Sequence, residues 1–127
     1  MSAPQSPPPD GAVPPDLDPD ILDVEPMVRN FGGLGPVVAS LYALFLKNAN
    51  ELAGAVRDHL AGDDLQAARM AAHAAAGAAR MAGARRVAFL FSAIEEAIVR
   101  GDVEEARSTV LALDDALHDV RSMIGRI

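Results

Sequence analysis

His73 is the residue of this 127-residue chain whose type and setting could carry group-transfer chemistry. It stands in AAHAAAGAARMAGA, residues 71–84, an alanine-rich run that reads as helix. At 100° per residue, Arg69, Gly77 and Arg80 fall within about 40° of it, four residues before, four after and seven after. The apolar stripe of the same segment (Leu65, Ala68, Ala72, Ala75, Ala79, Ala82) is centred roughly 130° away, so the imidazole is expected to face solvent. A neutral imidazole, with an ordinary pKa near 6.5, is available as a nucleophile at about pH 7. Arg69 and Arg80 can bond the oxygens of a phosphoryl group, although both serve equally well as solubilising residues on an apolar helix. Gly77 costs about 1 kcal/mol relative to alanine inside a helix, so its missing side chain needs another reason. Close approach of a second protein supplies one. The constellation suits a histidine that takes a phosphoryl group from a docked partner.

Other chemistries find less support. His59 beside Asp58, and His118 between Leu117 and Asp119, read as ordinary surface residues. No two histidines stand at metal-ligand spacing, there is no HExxH, and no carboxylate cluster shares the face of His73, so no metal site is expected in this chain. The absence of cysteine excludes disulfides, thiolate zinc sites and cysteine nucleophiles. The net charge of −7 divides unevenly. Residues 1–25 hold six acids and no base, leaving 18 − 6 = 12 acids against 11 bases in the remainder, which is therefore near −1. A broad nucleic-acid-binding surface is not expected. Between Leu65 and Ile94 there are four arginines (Arg69, Arg80, Arg85, Arg86) and no acid, which places a local positive field around His73.

The elements that must position this histidine are helices. Half the residues are hydrophobic but only 4% are aromatic, and tryptophan is absent, so the core must be built from Leu, Val, Ile and Ala. Seven of the nine prolines fall in the first 19 residues, where too few apolar groups are present to offset ordering entropy, and residues 1–20 are expected to form a disordered Pro/Asp-rich tail. From Val37 onward there is no proline and no period-two alternation. Asp23 is expected to cap a short helix that carries Pro26 in its first turn and stops at Phe31 to Gly33. The second helix opens near Leu34 to Pro36, presents Val37, Val38, Leu41, Leu44, Phe45, Leu52, Val56 and Leu60, and stops at Gly62. Asp63 or Asp64 caps the third, which ends at Ala82 to Gly83. A fourth runs from Ala84 to Arg100, and a fifth begins after Asp102 with a stripe from Val103 to Ile124. The fold class is all-α: an antiparallel up-and-down four-helix bundle over residues 21–127, with the short first helix as a lid. No segment approaches the roughly 18 apolar residues that span a bilayer and no secretory leader is evident, so a soluble cytoplasmic monomer is the expectation.

His73, Gly77, then Gly83 and Ala84, with apolar Leu90 beyond, resemble the motif of histidine phosphotransfer (HPt) domains, in which the histidine is followed by glycine at plus four and Gly-Ala at plus ten and eleven. DVEPMVRNFGG, LFLKNANELAGAVRDHLAGDD and IEEAIVRGDVEEARSTV are similar to the family's usual elements, and the resemblance covers the chain from Leu22 onward. It implies a phosphoryl carrier, not an enzyme, in which His73 exchanges a phosphoryl group with aspartates of response-regulator receiver domains and with a hybrid histidine kinase; with no receiver or ATP-binding segment in the 127 residues, a stand-alone relay protein is expected. It further implies that Mg²⁺ comes from the receiver and no cofactor from this chain, that Arg69 and Arg80 support the phosphoryl group, and that Ala76, Gly77 and Gly83 belong to the docking surface with apolar residues of the second and third helices. One position departs from the pattern: Ala76 stands at plus three, where the family usually has Lys or Arg. A helical adaptor that binds a partner without moving phosphate is the alternative. A kinase dimerisation domain fits less well, because Ala74 follows the histidine where such domains place an acid.

Overall fold

The computed structural model describes residues 17–127. Five helices occupy them, with no β-strand among the described residues: α1 (Glu25–Phe31), α2 (Pro36–Ala61), α3 (Leu65–Ala82), α4 (Arg85–Val99) and α5 (Val103–Ile124). Their ends obey local chemistry. The Asp64 carboxylate accepts from the Ala67 N–H at 3.2 Å and Asp102 does the same for Glu105 at 3.1 Å, so each satisfies an orphan donor of the first turn. Asp63, the other candidate cap, takes a positive φ of 56° in the preceding turn and lies 3.5 Å from Arg107. Asp23 is not the cap of α1. Val24 occupies that position, and the Asp23 carboxylate accepts from the Glu25 N–H one residue further on.

The helices pack in sequence, α2 on α3, α3 on α4 and α4 on α5, and α5 returns to α2, while α1 touches α2. The buried line of α3 is alanine throughout: Ala68, Ala72, Ala75, Ala76, Ala79 and Ala82. On α2 the buried line is Val38, Tyr42, Phe45, Ala49, Ala53, Val56 and Leu60. It differs from the expected stripe, because Val37 and Leu44 are exposed while Tyr42, Ala49 and Ala53 face inward. Buried alanines on both packed helices leave little side-chain bulk between them, and larger side chains on those lines would hold the backbones apart.

The end of α3 is built around Gly83. It adopts the left-handed conformation with φ 79°, and the Ala84 N–H returns to the Ala79 carbonyl at 2.9 Å. Its own carbonyl accepts from the Asp23 N–H at 2.8 Å, and a Cβ at this position would stand 2.1 Å from the Asp23 carbonyl oxygen. Gly83 is therefore buried under the segment that leads into α1 and does not belong to a docking surface, contrary to the expectation from sequence. The same segment gives α4 its cap: the Arg86 N–H donates to the Asp20 carbonyl at 3.1 Å. Residues 1–16 of the expected tail lie outside the described residues, but 17–20 do not behave as a tail. Leu17 packs against the core, and the Asp18 carbonyl accepts from the Ile21 and Leu22 N–H groups.

Tyr42 is fully buried, and its hydroxyl has no hydrogen-bond partner among the described residues. Burial, reinforced by the Asp23 carboxylate, pushes its pKa up to about 12. Between about pH 10 and pH 12 the unfolded chain loses this proton while the folded chain keeps it, so stability falls as pH rises through that window, by about 2 kcal/mol at most. Tyr42→Phe is expected to abolish the alkaline loss and to leave stability at pH 7 unchanged or higher by about 1 kcal/mol, since no hydrogen bond is given up. Urea denaturation of both proteins at pH 7 and across the alkaline range measures this.

Candidate functional site

His73 projects from the middle of α3 with 72% of its side chain exposed. Its ring is not free to turn, because Nδ1 lies 3.0 Å from both carboxylate oxygens of Glu95 on α4. The contact follows from the register of the α3–α4 hairpin. The chain reverses at Gly83–Ala84, and His73 and Glu95 stand eleven residues before and eleven after Ala84, so equal lengths of helix at about 1.5 Å per residue bring them level. Glu95 is itself held: only 21% of its side chain is exposed, and Arg69 Nη1 approaches its Oε2 at 3.7 Å. The field at His73 is thus not purely positive, as the acid-free run from Leu65 to Ile94 suggested. A carboxylate one residue beyond that run closes onto the imidazole. The signal was available, by counting equal distances from the Gly-Ala turn.

The other expected site residues divide. Arg69 joins the site through Glu95, with a weaker contact to Gln66 at 3.4 Å. Arg80 does not turn to His73; its guanidinium donates to the Ser92 hydroxyl of α4. Ala76, expected on the docking surface, is 1% exposed and buried in the core. The helix wheel explains this, since Ala76 lies only about 60° from His73 but on the side where α3 meets α4. Gly77 is half-buried, and a Cβ built there would meet nothing within 4 Å. Nothing among the described residues uses its missing side chain. His59 and His118 make no side-chain hydrogen bond or ion pair among the described residues, and no group of three or more His, Asp or Glu side chains there is placed to hold a metal ion.

Beyond His73, toward the C-terminal end of α3, exposed apolar residues of α2 and α3 meet those of α1. Phe31, Leu41, Leu44, Ala78 and Met81 line a hollow of about 670 Å³, and Met81 is 83% exposed. Leu41 and Leu44, two apolar residues of α2 outside its buried line, are thereby used. A mainly apolar concavity of this size, on the same helix as an exposed nucleophile, is a surface suited to another protein.

Since the Cβ of residue 77 would point into open space, Gly77→Ala is expected to raise stability by about 0.5–1 kcal/mol through helix propensity alone. Thermal or urea unfolding checks this, and a loss of stability would show that the chain itself needs the glycine.

Comparison with the curated proteins gives no match, and neither does comparison with solved structures. Among the known families, the Hpt domain matches residues 40–123, about two thirds of the chain, spanning His73, Gly77, the Gly83 turn and Glu95. No helix among the described residues is long and apolar enough to cross a membrane. On this match, and with an all-helical fold that leaves one histidine exposed on the third helix, the chain belongs to the Hpt domain family.

Proposed function

We propose that this chain is a cytoplasmic, monomeric phosphoryl carrier of a two-component phosphorelay, with residues 21–127 forming the functional unit and His73 the phosphoacceptor. Hpt domains are phosphocarrier modules of such signalling and not enzymes in their own right. The reading takes α2 to α5 as an antiparallel up-and-down bundle, with α1 across one end. The observation that supports it best is the pairing of His73 Nδ1 with Glu95 on a ring otherwise open to solvent.

With Glu95 accepting, Nδ1 keeps its proton and Nε2 is left with the lone pair. Nε2 attacks the phosphorus of an aspartyl phosphate in line; an N–P bond forms as the bond to the aspartyl oxygen breaks, and the partner's carboxylate leaves with the electron pair. The Glu95 carboxylate stabilises the positive charge that builds on the ring. Mg²⁺ and the acids that hold it belong to the receiver in this scheme, and the chain supplies no cofactor. Arg69, one turn before His73 and already beside Glu95, is the cation placed to move onto the phosphoryl oxygens, in place of the basic residue that Ala76 lacks. The receiver seats on the apolar hollow of α1, α2 and α3, and Gly77 lets it approach the helix closely.

Purified receiver carrying radiolabelled phosphoryl aspartate, supplied directly or through a hybrid histidine kinase, tests the proposal. Wild-type protein is expected to gain label that is acid-labile and alkali-stable, and His73→Gln to gain none. Label on both would move the acceptor elsewhere; label on neither, with the protein folded and bound to the receiver, would leave a helical adaptor. Glu95→Ala is expected to lower the transfer rate about tenfold to a hundredfold, the range for removing the group that orients a functional histidine, with Glu95→Gln less affected because its amide oxygen still accepts from Nδ1.

A further inference from the structure

On the other side of α3 from the apolar hollow, Arg80, Arg85, Ala88, Phe89 and Ser92 line a second hollow of about 390 Å³ between α3 and α4. Its two arginines stand apart from their neighbours. Arg69 and Arg86, on the same two helices, lie within 4 Å of carboxylates of Glu95 and Asp119, whereas neither Arg80 nor Arg85 has an ion-pair partner among the described residues. Arg80 is held in place by the Ser92 hydroxyl, which bonds the guanidinium without neutralising it. Phe89 is 71% exposed at the same spot, an apolar ring beside two uncompensated charges.

We infer that this cationic hollow recognises carboxylates on the partner that docks over His73. The inference rests on the receiver-docking reading above and assigns that partner a second contact. Distance allows it: Arg80 is seven residues from His73, about 10 Å along the helix. A standard interface covers about 800 Å² per partner, a disc of about 16 Å radius, so a receiver centred on His73 extends over the hollow. Charge favours it: Arg80 and Arg85, with no carboxylate opposite them among the described residues, present a positive surface that carboxylates at the rim of a docked face would neutralise. The two hollows then divide the work. The apolar one provides buried area, and the cationic one sets orientation, encounter rate and choice among partners. Arg80 is thereby a docking residue and not a ligand of the phosphoryl group.

Binding of a receiver to full-length protein by titration calorimetry, and transfer kinetics from the same receiver, are compared for wild type and the Arg80→Ala/Arg85→Ala double variant between about 20 and 200 mM salt. Two exposed ion pairs lost together are expected to weaken binding and raise KM about tenfold at low salt, with kcat unchanged and most of the salt dependence gone. Helical content by circular dichroism verifies the fold, and Arg80→Lys/Arg85→Lys is expected to recover part of the loss. Wild-type affinity and salt dependence in the double variant overturn the proposal while transfer stays intact. A fall in kcat at unchanged KM also overturns it, by placing the arginines in the chemistry. Receiver binding without any transfer to wild type, in contrast, would refute the carrier reading and leave the hollow's assignment standing.

Discussion

The close approach of α3 to its neighbours is the constraint on which the rest depends. Every fully buried residue of α3 is alanine, so each contributes little more than a methyl group of apolar area, and the helix is held by proximity more than by bulk. The larger side chains of the core come from elsewhere, chiefly Tyr42, Phe91, Leu22, Ile94 and Leu113. A thin, close-packed third helix lets Glu95 reach across from α4 to the imidazole, and lets Arg69 reach Glu95. With a leucine at Ala72 or Ala76 in place of the methyl group, α3 would have to stand further from its neighbours and the 3.0 Å contact would stretch.

Gly83 protects the same geometry from the opposite end. The turn it makes sets the register of α3 against α4, and the leader segment clasps it through the Asp23 N–H. There is no room for a Cβ, so the backbone of the leader and the turn lie in direct contact. The glycine at plus ten from His73 therefore acts at a distance, fixing the hairpin in which His73 and Glu95 come level. Gly77 acts in the other sense, since it leaves space on the outside where a partner can use it.

Much of this was legible in the residues. Asp64, Asp102 and Gly83 mark helix ends by chemistry that needs no tertiary context, and the structure keeps all three. The angular distance between His73 and the alanine stripe sufficed to place the imidazole in solvent. The failures, Ala76 apart, share a cause: each depends on which neighbour lies opposite. On α2, apolar residues cover more than one face, and the packing of α3 and α5 against it decides that Tyr42, Ala49 and Ala53 go inward while Leu44 turns outward to line the apolar hollow. The family resemblance alone places Ala76 on the surface, yet it lies on the stripe's side of His73 and is buried with the other alanines. Arg80 shares a face with His73 within its helix, yet Ser92 of α4 draws its guanidinium away. Glu95 lies 22 residues from His73 and belongs to no local pattern; only the hairpin register reveals it.

The central claim is that Glu95 holds Nδ1 of His73 as the protonated nitrogen and so commits Nε2 to phosphorus. Nuclear magnetic resonance of protein with ¹⁵N-labelled histidine tests it most directly, read before and after phosphorylation by a receiver. The account predicts the Nδ1–H tautomer in the free protein and a one-bond ³¹P–¹⁵N coupling to Nε2 of His73 afterwards. Coupling to Nδ1, or an Nε2–H tautomer in the free protein, would contradict it.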